Sequence, residues 1–240
     1  MSAKCLPLLP VVLTLGGCAL HTAATGPTQY DSAAVERDKP ELVRVNLNMG
    51  AGDLKVGSGT SKLMQAYFTY NVPEWKPEVR YEVSGGVGNL EVEQPGSGSS
   101  TGDTRNDWDL HLSNKVPMEM TVNVGAGRAT LTLGGLELSR LELNMGAGET
   151  TVDLNGNWQK DLSAELHGGV GKATIRLPKD VGVHVVARGG LGAINASGLQ
   201  KQGDAYVNDL YGKSPVTLHV EVEGGVGEIN LELGGEPPAA

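Results

Sequence analysis

The chain has 240 residues, and its 19 Lys and Arg against 28 Asp and Glu give a formal net charge of −9. That acidic balance makes nucleic acid and anionic membrane surfaces poor partners. The only cysteines are Cys5 and Cys18, so no disulfide framework is available and packing must hold the fold.

The N-terminus reads as a targeting segment. Lys4 precedes an apolar run, Leu6 to Leu15, of signal-peptide length and too short to span a bilayer. The run ends in Leu15-Gly16-Gly17-Cys18, which resembles a bacterial lipobox. Residues 1–17 are expected to be removed and Cys18 to be lipidated, since two or more acyl chains anchor stably where one does not. Loss of Lys4 would take the net charge from −9 to −10. Ala19 follows the cysteine, which in a Gram-negative host points to the outer membrane. Residues 18–39 lack periodicity and are expected to form a flexible tether. No later segment has the length and apolarity of a transmembrane helix.

From residue 40 onward one phrase recurs. A G-x-G bend occurs seven times, its second glycine at Gly52, Gly88, Gly127, Gly148, Gly171, Gly192 and Gly227. The spacings are 36, 39, 21, 23, 21 and 35, a base period of about 21 with three insertions of about 15 residues. Aligned on that glycine, apolar residues fall five and seven places before it and two and four places after it. Val122, Met120, Ala129 and Leu131 are one such set. This is strand periodicity with one buried face. Asn48, Asn123 and Asn144 share an outward column, and so do Thr130, Thr151 and Thr174, as stacking in a parallel solenoid favours.

The expected fold is all-β: a single-stranded, right-handed β-helix or β-solenoid built from seven strand–GxG–strand repeats, spanning residues 40–235. Residues 236–240 are expected to be a disordered tail. No rung can bury its apolar face alone, so stacked neighbours make the core. Ala51, Ala126 and Ala147, or Val87, Val170 and Val226, are expected to tuck inside the bend. A meander of antiparallel hairpins would explain the alternation but not the columns.

The glycines do not carry a ligand motif. The place of the calcium-binding Asp in G-G-x-G-x-D holds Leu54, Leu90, Ala129, Thr150, Ala173, Ile194 and Ile229. The Rossmann fingerprint lacks its third glycine, and Gly171-Lys172 is followed by Ala173 rather than Ser or Thr. His184 and His219 share a column but lack a third ligand at matching spacing. No metal, cofactor or catalytic residue is expected. The insertions gather the aromatics, and Trp75, Trp108, Tyr206 and Tyr211 are the candidate binding residues. Tyr67, Phe68 and Tyr70 are expected to plug the end of the solenoid.

The phrases "YNVPEWKPEVRYEVSGGVGNLEVEQP", "NDWDLHLSNKVPMEMTVNVGAGRATLTLGGLELSRLELNMGAGETTVDL" and "HGGVGKATIRLPKDVGVHV" resemble the bacterial toast-rack family over about residues 40–235. That family is related to the soluble domain of LiaF-type cell-wall-stress regulators and to adhesin-type β-helix domains. The resemblance implies a β-helical envelope domain and supplies no catalytic residues. This chain differs from LiaF-type proteins in having a lipobox in place of their transmembrane helices. The expectation is a lipid-anchored, non-catalytic binding module acting in envelope-stress response or adhesion, with an envelope protein or glycan as ligand. Two alternatives are a carbohydrate-active β-helix enzyme and a purely structural envelope lipoprotein.

Overall fold

The computed structural model describes residues 23–96 and 100–234. Cys18 and the proposed signal segment lie outside them, as does the C-terminal tail. The described residues form an all-β solenoid, an open sheet rather than a closed barrel. In chain order its strands are β1 (Ala23–Ala24), β2 (Gln29–Val35), β3 (Leu42–Ser58), β4 (Met64–Tyr70), β5 (Glu78–Ser84) and β6 (Val87–Glu93). They continue with β7 (Ser100–Thr101), β8 (Asn106–Leu112), β9 (Met118–Thr132), β10 (Leu138–Asp153) and β11 (Leu162–Leu177). The last are β12 (Gly182–Ser197), β13 (Gln200–Gln202), β14 (Ala205–Val207) and β15 (Thr217–Leu233).

Six long strands are the rungs. They stack in parallel in the order β3, β9, β10, β11, β15, β12, with glycine against glycine at every step. The order is not sequential, because β15 inserts between β11 and β12. In β9, Met118, Met120, Val122 and Val124 are buried before the bend, and Ala129 and Leu131 after it. Buried parity therefore changes from even to odd across the bend. A flat strand would send the second set to the opposite face; the corner keeps both arms facing one core.

The corner glycine makes this possible. Gly148 has φ +132°, a region closed to side chains, and a Cβ on it would lie 1.9 Å from the Gly127 carbonyl oxygen. Both constraints hold again at each neighbouring rung, so backbones approach along the column in a way only glycine permits.

The seventh phrase is a correction. Gly88 pairs with Val43 rather than with the glycine column, and β5 and β6 form an antiparallel hairpin. Gly85 and Gly86, at φ +58° and +80°, form its two-residue turn. Gly88 is a glycine for another reason: a Cβ there would lie 2.8 Å from the Tyr81 hydroxyl. Among the described residues the solenoid thus has six cornered rungs. Arg80, whose guanidinium is paired with Glu78, Glu91 and Glu93, holds the hairpin's outer face together.

The expected tether also needs correction within the described residues. Gln29–Val35 is a strand paired antiparallel to β4 from Gln29↔Tyr70 to Val35↔Met64. Its half-buried face carries Gln29, Asp31, Ala33 and Val35, of which only the last two pack on the core, too little apolar alternation to announce a strand, yet β4 offers it a complete hydrogen-bonding edge. The insertions become caps. β8, β4 and β2 close the solenoid beside the second arm of β3, and β14 and β13 cover part of β12. Val170 and Val226, expected inside the bend, point outward with 58% and 48% exposure.

Candidate functional site

Two of the four predicted binding aromatics are core residues. Trp108 is 1% exposed, meets Phe68 edge to face at 5.6 Å, and donates its indole N–H to Asn106 Oδ1 at 2.8 Å. Trp75 is 5% exposed and packs with Val72. Neither reaches a ligand from inside the end cap, which corrects their expected role as contact residues. The alternation Asn106, Trp108, Leu110, Leu112, all buried along β8, is the signal that would have placed Trp108 inside. Phe68 and Tyr70 do plug this end, while Tyr67 is 48% exposed. Tyr206 and Tyr211 lie at the opposite end. Tyr206 is half-buried, with Lys201 Nζ 5.7 Å from its ring centre. Tyr211 packs against His184 at 5.0 Å, and His184 against His219 at 5.6 Å. Among the described residues no three His, Cys, Asp or Glu are grouped to hold a metal.

The sites that sequence reading did not single out lie along the glycine corner. Immediately after the glycine, the outward column reads Asp53, Arg128, Glu149, Lys172, Glu228, Ala193. Charges alternate, and Arg128 lies 3.4 Å from Asp53 and 3.5 Å from Glu149, while Lys172 lies 3.6 Å from Glu228. The ladder stops at Ala193 on the last rung. Four places before the glycine, Asn123 donates to Asn48 at 2.8 Å and Asn144 to Asn123 at 2.9 Å. The same column then changes to His167, Glu223 and Arg188, with Glu223 3.5 Å from His167 and 3.6 Å from Arg188.

The inner column differs most. Three places before the corner glycine stand Met49, Val124 and Met145, all buried, and then Gly168, Gly224 and Gly189. Three rungs fill their corner and three do not. The result is an apolar cleft of about 100 Å³ whose walls include Met145, Thr150, Gly168, Ala173, Ile194 and Ile229. Val170, Val226 and Leu191, in register and 58%, 48% and 73% exposed, form its lip.

The two ends of this corner are also unlike. At β3, Gln94 Oε1 accepts from the Gly50 and Ala51 amides at 2.9 and 3.3 Å, and Asn106 Nδ2 donates to the Ala51 carbonyl at 2.8 Å. Those side chains stand where another rung would be. At β12, β14 covers only His184 to Val186. Among the described residues no strand pairs with the open side of Ala187–Ser197. Each corner carbonyl approaches the next rung, so Gly190 and Gly192 turn theirs outward at this end.

Rungs cornered by glycine, stacked in parallel and capped at one end, define a parallel β-solenoid. A family model described as the N-terminal domain of toast_rack, DUF2154, matches residues 24–176. The chain belongs to the toast-rack family. It is 36% identical to a crystal structure named "putative cell adhesion protein" from Clostridium sporogenes ATCC 15579, covering 86% of this chain and 100% of that one with a TM-score of 0.81. Structures named "putative adhesin" from Parabacteroides distasonis ATCC 8503 and Bacteroides fragilis NCTC 9343 share 12% and 11% identity. They cover 88% and 87% of this chain and 100% and 99% of their own, with TM-scores of 0.27 and 0.35, too low to carry any argument. No curated protein matches the chain.

Proposed function

We propose that the protein is a non-catalytic adhesion module of the bacterial envelope, lipid-anchored through Cys18, that docks a protein partner at its C-terminal corner. The bare second arm of β12 carries this reading. Exposed strand edges are normally blunted by charge, proline or a bulge. From Gly189 to Ser197 the arm has none of these charges or prolines, and Leu191 is 73% exposed. The outward carbonyls of Gly190 and Gly192 would accept from a partner's amides, and Leu191, Val226 and Val170 would supply the apolar contact. The structure named "putative cell adhesion protein", to which the chain is 36% identical, supports adhesion over stress sensing.

The test uses the full lipidated chain and its purified form. Cys18→Ala should move the protein from the membrane fraction to the soluble fraction; continued membrane retention would refute the anchor. Saturable binding to the host's envelope fraction should be lost in Leu191→Lys and kept in Tyr67→Ala at the capped end. Equal binding by both variants would refute docking at the corner.

A further inference from the structure

The cleft behind Leu191 has a chemistry of its own. Its floor runs beneath β10, β11, β15 and β12, three strand spacings or about 14 Å. Its depth is the side chain that Met49, Val124 and Met145 supply elsewhere and that Gly168, Gly224 and Gly189 do not. Two rungs partly compensate from the other arm: a Cβ on Gly224 would lie 3.1 Å from Ile229 Cδ1, and one on Gly189 would lie 3.8 Å from Ile194 Cδ1. On β11 nothing compensates. A Cβ on Gly168 would meet only the Glu223 carbonyl oxygen at 3.8 Å, and the residue facing it across the corner is Ala173.

Polar side chains line the rim of the cleft, and one buried residue of its wall carries a hydroxyl. Thr150 is 7% exposed, and its hydroxyl is buried without a hydrogen-bond partner. Buried hydroxyls are normally satisfied, because an orphan forfeits its hydration. At the rim the charged groups are paired, Lys172 with Glu228 and Arg188 with Glu223. The cleft therefore offers no unpaired charge to an ionic ligand. Its volume of about 100 Å³ is below the ~150 Å³ of an apolar cavity that takes benzene, so the open cleft can enclose a ligand only in part and the remainder must lie along its floor. Yet its floor is longer than any ring.

We propose that this cleft binds an unbranched alkyl chain headed by a single hydrogen-bonding oxygen. The oxygen meets the Thr150 hydroxyl at the β10 end. The chain lies over Gly168, Gly224 and Gly189 and leaves past Leu191. A free alcohol and an ester-linked acyl chain share this chemistry. The assignment does not depend on the docking of a protein partner, because it is tested with no partner present.

The chain supplies its own reporters. It has only three isoleucines, Ile175, Ile194 and Ile229, and all three line the cleft. With their δ1-methyls carbon-13 labelled, titration of the purified chain with 1-octanol should move all three signals saturably. Gly168→Met, which places in β11 the side chain that Met145 has in β10, should abolish the shifts and keep the parent's melting temperature. Should that variant fail to fold, Gly168→Ala serves, since its Cβ makes an ordinary contact, and it should weaken binding. Thr150→Val should weaken octanol binding about three- to tenfold, the value of one net hydrogen bond. Methyls that do not move, or move without saturating, would overturn the proposal. So would unchanged affinity in the folded Gly168 variant, and unchanged affinity in Thr150→Val would overturn the role of the hydroxyl. A shared titration of 1-octanol against a vesicle-embedded diacylglycerol ester separates the free alcohol from the acyl source: binding of either supports the site, and binding of neither overturns it.

Discussion

The first three rungs of the glycine corner and the last three are built on one backbone and furnished differently. In β3, β9 and β10 the corner residue is alanine, the inner position is Met49, Val124 or Met145, and the outward amides form a ladder. In β11, β15 and β12 the corner residue is Val170, Val226 or Leu191, the inner position is glycine, and the amides give way to His167, Glu223 and Arg188. The first half is filled, neutral along its ladder and capped by Gln94 and Asn106. The second is hollowed, charged and bare. The comparison separates what the fold requires from what it leaves free. Both glycines of the bend recur in every rung, since a Cβ on the second, and in five rungs on the first, would overlap a neighbouring carbonyl oxygen, while the residues beside them are exchanged.

The largest effect should come from breaking what the halves share. Gly148→Val would put a Cβ 1.9 Å from one neighbouring carbonyl oxygen at φ +132°, and Gly171→Val would put one at 1.8 Å and +142°. Backbone strain alone costs about 1–3 kcal/mol, and relieving the overlap requires the stack to part. Both variants should lose cooperative unfolding, as followed by circular dichroism. A parent-like melting temperature in either would refute the shared corner.

The next effect should be asymmetric. Met145 is 7% exposed and fills its corner, so Met145→Ala should cost about 2–5 kcal/mol in denaturant unfolding. The reverse change in the other half, Gly168→Met, should be within about 1 kcal/mol of neutral, since its φ is ordinary and the space is open. Equal costs for the two would show that the halves are not different in packing.

Much of this was legible in the sequence, and the remainder failed for definite reasons. Alternation about each G-x-G gave the core, because burial on one face imposes period two on either side of the corner. The Asn48, Asn123, Asn144 column was readable for the same reason. The Gly88 hairpin was not. Ser84-Gly85-Gly86-Val87-Gly88 and His167-Gly168-Gly169-Val170-Gly171 differ in one letter, and the glycine pair forms a turn in the first and extended strand in the second. Which form is taken depends on the strands alongside, and local sequence carries no record of them. The insertion of β15 between β11 and β12 is hidden likewise, because its columns match both neighbours. The alternating ladder from Asp53 to Glu228 could have been found one column after the glycine. The cleft could also have been suspected, from glycines standing where aligned phrases have Met or Val.

A smaller effect should separate the two outward columns. Asn123 sits between Asn48 and Asn144, so Asn123→Ala breaks two side-chain hydrogen bonds and should cost about 1–2 kcal/mol. Neutral amides should give the same cost at low and high salt. Glu223, facing His167 and Arg188 in solvent, should cost under about 1 kcal/mol as Glu223→Gln, and less as salt rises. A salt-sensitive Asn123 variant would contradict the distinction between the neutral and charged stretches of this one column.

The smallest effect lies at the capped end and concerns how firmly β2 is held there. Asp31 on β2 lies 3.2 Å from Lys76 Nζ and accepts from the Ser32 amide at 2.8 Å. The hydrogen bond from Lys76, then that from Ser32, holds the Asp31 carboxyl below its ordinary value of 3.8, while slight burial acts the other way. A carboxyl depressed in the folded state adds stability above its unfolded value, and that contribution is lost as pH falls through the folded one. The pair is open to water, so global unfolding is the wrong readout and local opening the right one. In Asp31→Asn, amides of Gln29–Val35 should exchange modestly faster than in the parent above about pH 5. The two proteins should converge once the pH is well below 3.8, where the parent's carboxyl is protonated as well. Convergence in the opposite direction, or protection of β2 unchanged at every pH, would show that the backbone ladder to β4 alone holds the strand on the cap.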